Sequence, residues 1–376
     1  MMKPLIKYTG GKYKEYLDIK QYFPDNINNY FEPFFGGGGV FFRLHNEKKI
    51  SGQSYINDFS KSLVDFYESI TSSQFESELN NILLSWEYIK SFGEDFYKEY
   101  GNKFKLCLLK KDIPFMTDDI KSYIYNKCHN CVLNMHNFSL YDKVCYSLLD
   151  KLHRFQKKNI SNDDENVVYN CITTCICQAF YFIIRDMYND WNNHNHFNLY
   201  TKEERSAQWM FIREFCFGSM HRFGRNGDYN VPYGGFSYNN KDFKSKINNV
   251  IQMDVYKLFS QTYITCGDFE NAFKLWNFSE NDFMFLDPPY DSIFTDYDNN
   301  SFDKSDHIRL ANCLKTCECK WLMAIGSTDF IKDLYKEYEI IPYAKTYMYQ
   351  ARGEYDSKHT KHIIIRNFTN TINSLW

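Results

Sequence analysis

No stretch of this 376-residue chain approaches the ~18 unbroken apolar residues of a membrane-spanning helix, so no membrane partner is expected. The opening Met1-Met2-Lys3-Pro4 lacks the apolar segment of a secretory signal. Together with the 12 cysteines this predicts reduced thiols in a cytoplasm, of a prokaryote, a phage or a mobile element. An excess of one charge is also missing. A net charge of −3 does not announce a nucleic-acid binder, and any basic face has to be local. Paired metal-ligand motifs are absent as well. Cys128-x-x-Cys131 has zinc-knuckle spacing, but no convincing second pair accompanies it. Cys171, Cys175 and Cys177 fall in an apolar run that reads as a buried helix, and Cys313, Cys317 and Cys319 are read the same way, as small hydrophobes. His194 and His196 belong to an Asn-rich turn. No metal is expected.

What is present is a globular composition, 44% hydrophobic and 24% charged. The 34 Phe and 31 Tyr, with abundant Asn and Lys, suit an AT-rich genome as much as selection, so no single ring carries an argument. One tetrapeptide does stand out. Phe283-Met284-Phe285-Leu286 reads as a buried strand that stops at Asp287-Pro288-Pro289-Tyr290, because proline cannot donate to a sheet ladder. A carboxylate, the carbonyl between two prolines and an aromatic ring are thereby held at a strand's carboxyl end, where open α/β sheets bind ligands. Such a set suits an amino group on an aromatic ring. Its lone pair is delocalised, and two acceptors can draw on its hydrogens while Tyr290 stacks on the ring.

Taken in order, the chain supplies matching parts. Lys7-Tyr8-Thr9-Gly10-Gly11-Lys12 opens a helical pattern with anion-friendly amides. Phe31–Phe42 places four glycines, Gly36 to Gly39, between strand-like and helix-like segments, so something has to approach that backbone closely. Ser54–Phe59 reads as a strand ending in Asp58, about 20 residues on, the position from which an acid bonds ribose hydroxyls. Residues 71–210 are half helical, with apolar spacing over 75–84, 92–109 and 141–155, and a polar loop over 160–167. Residues 213–236 read as a hairpin about Asn226-Gly227, with Arg213, His221, Arg222 and Arg225 among aromatics. Basic side chains interleaved with rings suit phosphates and bases. Strands at 263–269, 283–286, 321–325 and 362–368 then alternate with helices at 302–317 and 329–338, Asp303 serving as a cap. The pattern argues an α/β fold with a doubly wound, parallel-rich sheet.

In this order, KYTGGK, FEPFFGGGGVFF, an acid-ended strand, a hairpin with GDYNVPYG, GDF and DPPY, the chain resembles the Dam-type, D12-class DNA adenine-N6 methyltransferases, which use S-adenosylmethionine. The resemblance covers about the first 70 residues and 210–376. It implies a Rossmann-like sheet formed by 1–70 and 250–376, with 71–249 as an inserted helical and target-recognition region. Tyr8, Lys12, Phe35, Gly36 and Gly38 would line the cofactor, Asp58 its ribose, Asp268 and Phe269 its adenine, and Asp287 would border it. Asp287, Pro288, Pro289 and Tyr290 would hold a flipped adenine of double-stranded DNA. Lys7, Arg222, Phe223, Arg225, Asn226, Asn230, Pro232 and Tyr233 would contact DNA, with Phe223 wedged beside the extruded base.

Family members acting on GATC commonly carry Arg where Asn226 stands. Arg favours guanine and Asn adenine, so this position departs from that pattern, but Lys7 is retained, and GATC or a relative of it is expected. A monomer is expected, and the sequence leaves a cognate restriction endonuclease open as a partner. Two other readings remain open: a DNA-binding or regulatory protein with an inactive fold of this type, and an amino-methyltransferase acting on another nucleic acid.

Overall fold

The computed structural model describes residues 1–8, 10–109, 113–157, 164–193, 200–220, 222–290, 296–297, 300–343 and 362–369. Thr9, His221, and the His194 and His196 of the expected Asn-rich turn lie outside them. The chain forms two compact units, one of Met1–Glu68 with Gln252–Trp376, the other of Ser69–Ile251.

Short apolar runs bounded by polar turns build the sheet of the first unit. Its strands are β1 (Tyr30–Glu32), β2 (Ser54–Asp58), β3 (Thr262–Cys266), β4 (Phe283–Leu286), β5 (Lys320–Gly326), β6 (Glu339–Tyr343) and β7 (His362–Arg366). They lie in the order β3-β2-β1-β4-β5-β7-β6. The five strands from β3 to β5 are parallel, while β7 runs antiparallel to both neighbours. The chain leaves β1 toward β2 and β3, then returns to place β4 on the other side of β1. That reversal makes the carboxyl ends of β1 and β4 the topological switch point, where such sheets bind ligands.

β4 is buried along its whole length because its faces alternate between two apolar layers. Phe283 and Phe285 meet the ring of Phe23 at 5.2 and 5.8 Å. Met284 and Leu286 enter a core with Phe31, Trp276 and Trp321. Each such side chain contributes roughly 1.5–3 kcal/mol on burial. Just upstream, the buried Asp282 accepts hydrogen bonds from Asn28 Nδ2 (2.9 Å), the Asn29 amide (3.0 Å) and the Ser279 amide (2.9 Å). This ties the start of β4 to the start of β1. Asp303 caps the helix Lys304–Lys315 in a reciprocal capping box with Asp306.

The second unit is helical. The spacings at 75–84 and 92–109 merge into one helix, Ser73–Leu109, because Trp86 and Ile89 keep the buried stripe running between them. The helix Glu165–Asn193 takes up the end of the segment expected to be a loop. Its portion Glu165–Asp190 is long and apolar enough to cross a membrane, with mean hydropathy 1.7, and 67% of its most apolar window is buried inside the protein. It packs on the helices Ser73–Leu109, Leu140–Lys157 and Lys202–Phe215, and carries the buried Cys171, Cys175 and Cys177.

The hairpin departs from expectation. Two single bridges, Cys216–Tyr233 and Phe223–Tyr229, stand in place of two strands. Arg213 lies within the helix Lys202–Phe215 and is buried, so the turn itself carries Arg222 and Arg225 but not Arg213. Asp282→Ala should lower stability by about 2–4 kcal/mol, since it strands two backbone amides and a side-chain donor. Urea denaturation monitored by tryptophan fluorescence checks this, and an unchanged midpoint contradicts it.

Candidate active site

Each of four neighbouring parallel strands is followed or ended by an acid on the same edge of the sheet. Asp268 follows β3, Asp58 ends β2, Glu32 ends β1 and Asp287 follows β4. All four line one cavity of about 510 Å³, together with Tyr8, Lys12, Phe34, Gly36, Phe269, Pro288, Pro289, Tyr290 and Phe302. That volume lies in the range of pockets that enclose a drug-sized ligand. The parallel sheet brings these acids together although they are spread over more than 250 positions.

At the β4 end, Lys12 is 2% exposed and its Nζ lies 2.7 Å from Asp287 Oδ1. The same ammonium donates to Tyr290 Oη at 3.0 Å and to the Gly10 carbonyl at 3.3 Å. Burial disfavours the charged amine, but Asp287, Tyr290 and Glu15 outweigh it and hold Lys12 above its usual pKa. Lys12 is thus committed to the Asp-Pro-Pro-Tyr corner, a partner that sequence reasoning did not assign to it. Tyr290 also lies 3.4 Å from His362 Nδ1 through its hydroxyl, with its ring edge-on to the imidazole. Burial and Asp287 push its phenol up, against the pull of Lys12.

Glu32, quoted within FEPFF but given no role, is 2% exposed and accepts from Tyr30 Oη at 2.7 Å. Burial drives its carboxyl well above the ordinary range; Tyr30 opposes this, and Asp287 and Asp58 add to it.

The glycine turn is shaped first by the chain itself. A Cβ on Gly36 would stand 2.9 Å from the Tyr8 ring, and one on Gly39 only 2.5 Å from the Tyr13 amide. Gly36 and Gly38 also have φ of +50° and +63°, which side chains resist. Asp58 fastens the turn, its Oδ2 accepting from the Gly36 amide at 2.8 Å and its Oδ1 from the Ser60 amide at 2.9 Å. Phe35 borders the cavity, yet its ring is buried against Phe41 and Tyr67. Its neighbour Phe34 instead packs on Phe269 and Phe302.

Asp268 caps the helix Phe269–Leu275, Oδ1 accepting from the Glu270 amide at 2.9 Å. Arg309 binds that same Oδ1 at 2.7 Å, Glu270 Oε2 at 3.0 Å and Asp306 Oδ1 at 2.7 Å. Its pairs with Glu270 and Asp268 hold the guanidinium above even its usual pKa. Sequence reasoning missed Arg309, which looked like any helix-surface arginine; only the Asp303–Asp306 cap hinted at its helix.

In the second unit, Arg222, Arg225, Asn226, Asn230 and Pro232 are exposed, and Phe223 is half-buried on Tyr229. Lys7, in the first unit, is exposed. Arg222 Nε donates to Asn230 Oδ1 at 2.8 Å across the turn. The Asn226 amide donates to Asp228 Oδ2, and its Oδ1 accepts from the Asp228 amide at 3.3 Å. Tyr233 is a correction to the DNA-contact set. It is 6% exposed, its hydroxyl donates to Asn239 Oδ1 at 2.7 Å and its ring packs on Tyr181, so it anchors the hairpin from below.

A family model described as D12 class N6 adenine-specific DNA methyltransferase matches residues 8–164 and 151–349. Among named proteins, the type II methyltransferase M.CviBI of Paramecium bursaria Chlorella virus NC1A is 26% identical over 370 residues, covering 98% of this chain and 100% of that protein. M1.LlaDCHI of Lactococcus lactis subsp. cremoris is 23% identical over 380 residues, covering 98% and 96%. M.MjaIII of Methanocaldococcus jannaschii is 25% identical over 384 residues, covering 98% and 99%. These similarities run through 71–210, the region that the motif resemblance left uncovered. The sequence similarity to these relatives therefore extends over the helical region of this chain.

Gly39→Ala should displace the Lys12–Tyr13 backbone and cost about 1–3 kcal/mol of stability. Thermal unfolding of the variant, beside Gly11→Ala as a control whose Cβ would meet nothing nearer than the Tyr8 carbonyl at 3.4 Å, tests that the turn is shaped by the segment packed on it.

Proposed function

The chain belongs to the D12 class of N6 adenine-specific DNA methyltransferases, and on that premise we propose that it methylates the exocyclic N6 of an adenine extruded from a short duplex sequence, GATC or a relative of it. Methyltransferases of this family use S-adenosylmethionine. The observation that carries the reading is the Asp287 carboxylate, held by the buried Lys12 at the end of β4 inside a cavity of cofactor size.

The residues fit the cofactor. The cavity offers a glycine turn, acids at separate positions and an aromatic wall of Phe34, Phe269 and Phe302. We assign Asp58 to the ribose, Asp268 and Phe269 to the adenine, and Tyr8 with the Gly36–Gly38 turn to the methionine end. When bound, the cofactor supplies an electrophilic sulfonium methyl. Every other contribution comes from the chain. Asp287 and the Pro288 carbonyl accept the two hydrogens of the target amine, which favours a pyramidal nitrogen with an available lone pair. Tyr290 holds the base by its ring. Lys12 fixes Asp287 as an acceptor, and Asp287 is the group positioned to receive the proton that the amine sheds. Catalysis is positioning and polarisation.

The second unit is assigned to target recognition. Asn226 is engaged with Asp228 in shaping the turn, so the exposed Arg222 and Arg225 are the donors proposed to read bases, which favours guanine in the site. Lys7, Asn230 and Pro232 complete the proposed DNA contacts, with Phe223 beside the extruded base. The type II name of the relatives supports a cognate restriction endonuclease, and the enzyme is proposed to act as a monomer.

Labelled methyl transfer to unmethylated duplex DNA, with the product nucleoside identified and its sequence context mapped, tests the reading. N6-methyladenine in one short motif is expected. Asp287→Asn should lower turnover about 100- to 10,000-fold while cofactor binding persists; retained turnover overturns the mechanism. Arg225→Ala should relax the motif and Asn226→Ala should leave it intact. A motif changed by Asn226→Ala alone reverses that assignment.

A further inference from the structure

Arg309 gathers three carboxylates that would otherwise repel one another: Asp268, Glu270 and Asp306. Its guanidinium also lies 4.9 Å from the ring centre of Phe269, and Asp268, Phe269 and Asp306 all line the cavity. Arg309 spans two helices, since Asp268 caps Phe269–Leu275 while Arg309 itself sits on Lys304–Lys315. The geometry at Asp268 is asymmetric. Both of its hydrogen bonds among the described residues, from the Glu270 amide and from Arg309, fall on Oδ1. Oδ2 is left as the acceptor for a ligand.

We propose that Arg309 is a positioning residue that sets base discrimination at this end of the cavity, acting through Asp268 to favour a purine bearing an amino group over one bearing a keto group. The proposal rests on the assignment of this end to the cofactor's base. An ionised carboxylate only accepts, so it pairs with an amino group and opposes a keto oxygen. Its power to discriminate depends on Oδ2 being held in one place. Arg309 supplies that hold from the side away from Oδ2, and its contact with Phe269 fixes the ring beside the same acid. Without the guanidinium, repulsion from Glu270 and Asp306 turns Asp268 from its cap geometry, and the penalty against a keto group falls with it.

The test compares the dissociation constants of S-adenosylhomocysteine and S-inosylhomocysteine for the full chain by calorimetry. The wild type should prefer the amino compound. Arg309→Met should weaken the amino compound about tenfold and change the keto compound less than about twofold, so that their ratio collapses. Arg309→Lys, which keeps the charge but not the fork, should give a smaller fall in the same direction and serves if the Met variant does not fold. A general loosening of the cavity would weaken both compounds together. An unchanged ratio in a folded Arg309→Met variant overturns the proposal alone. Wild-type protein that binds neither compound overturns the cofactor reading, and this proposal with it.

Discussion

The first unit depends on one buried ion pair. Lys12 and Asp287 are 275 residues apart, and the lysine is almost wholly removed from water. An ammonium in that position is tolerable only beside a partner that returns what desolvation takes away. The pair therefore joins the segment at the start of the chain to the end of β4. Gly39 closes the same assembly from below, because only a residue without a side chain lets the glycine turn lie against the backbone of Lys12 and Tyr13. Loosening any one of these three parts loosens the acid that faces the cavity.

Around this anchor the parallel sheet does the arranging. Adjacent parallel strands end on one edge, so an acid at or just past the end of each strand becomes one of a row. The four members of that row have different surroundings and hence different chemistry. Asp287 is paired with a cation, and Asp58 is spent in part on backbone amides. Asp268 is shared between a helix cap and Arg309, while Glu32 is buried with a tyrosine and pushed toward its neutral form. A fold that merely collected carboxylates would repel any anionic partner. Here two of the four already have a cationic neighbour, and a third is driven to hold its proton.

The second unit solves a different problem. A polar turn with few backbone ladder bonds has little to hold it, and this one is fastened by Tyr181 and Asn189 of the helix Glu165–Asn193 and by its own Tyr229. Tyr181 donates to the Val231 carbonyl, Asn189 exchanges two hydrogen bonds with the Tyr229 backbone, and Tyr229 itself donates to the Met220 carbonyl. These contacts pin the segment on either side, and Arg222, Arg225 and Asn226 are left to solvent.

The strands of the sheet other than β6, the sheet class, three of the four strand-end acids (Asp58, Asp268 and Asp287) and the family were legible in the sequence. Each is a local matter: a run of apolar residues, a proline that ends a ladder, a glycine run, or a motif in order. The tertiary structure alone decided who touches whom. It placed Lys12 on Asp287, turned the ring of Phe35 into the core and that of Phe34 toward Phe269, sank Tyr233 beneath the hairpin and closed the Asn226 amide on Asp228. It also set Arg309 against Asp268, a pairing that nothing near Arg309 in sequence marks. The reason is physical. Periodicity and composition report what a residue does to its own backbone and to the nearest turn, whereas a partner far along the chain is chosen by packing, after the sheet has brought distant segments together.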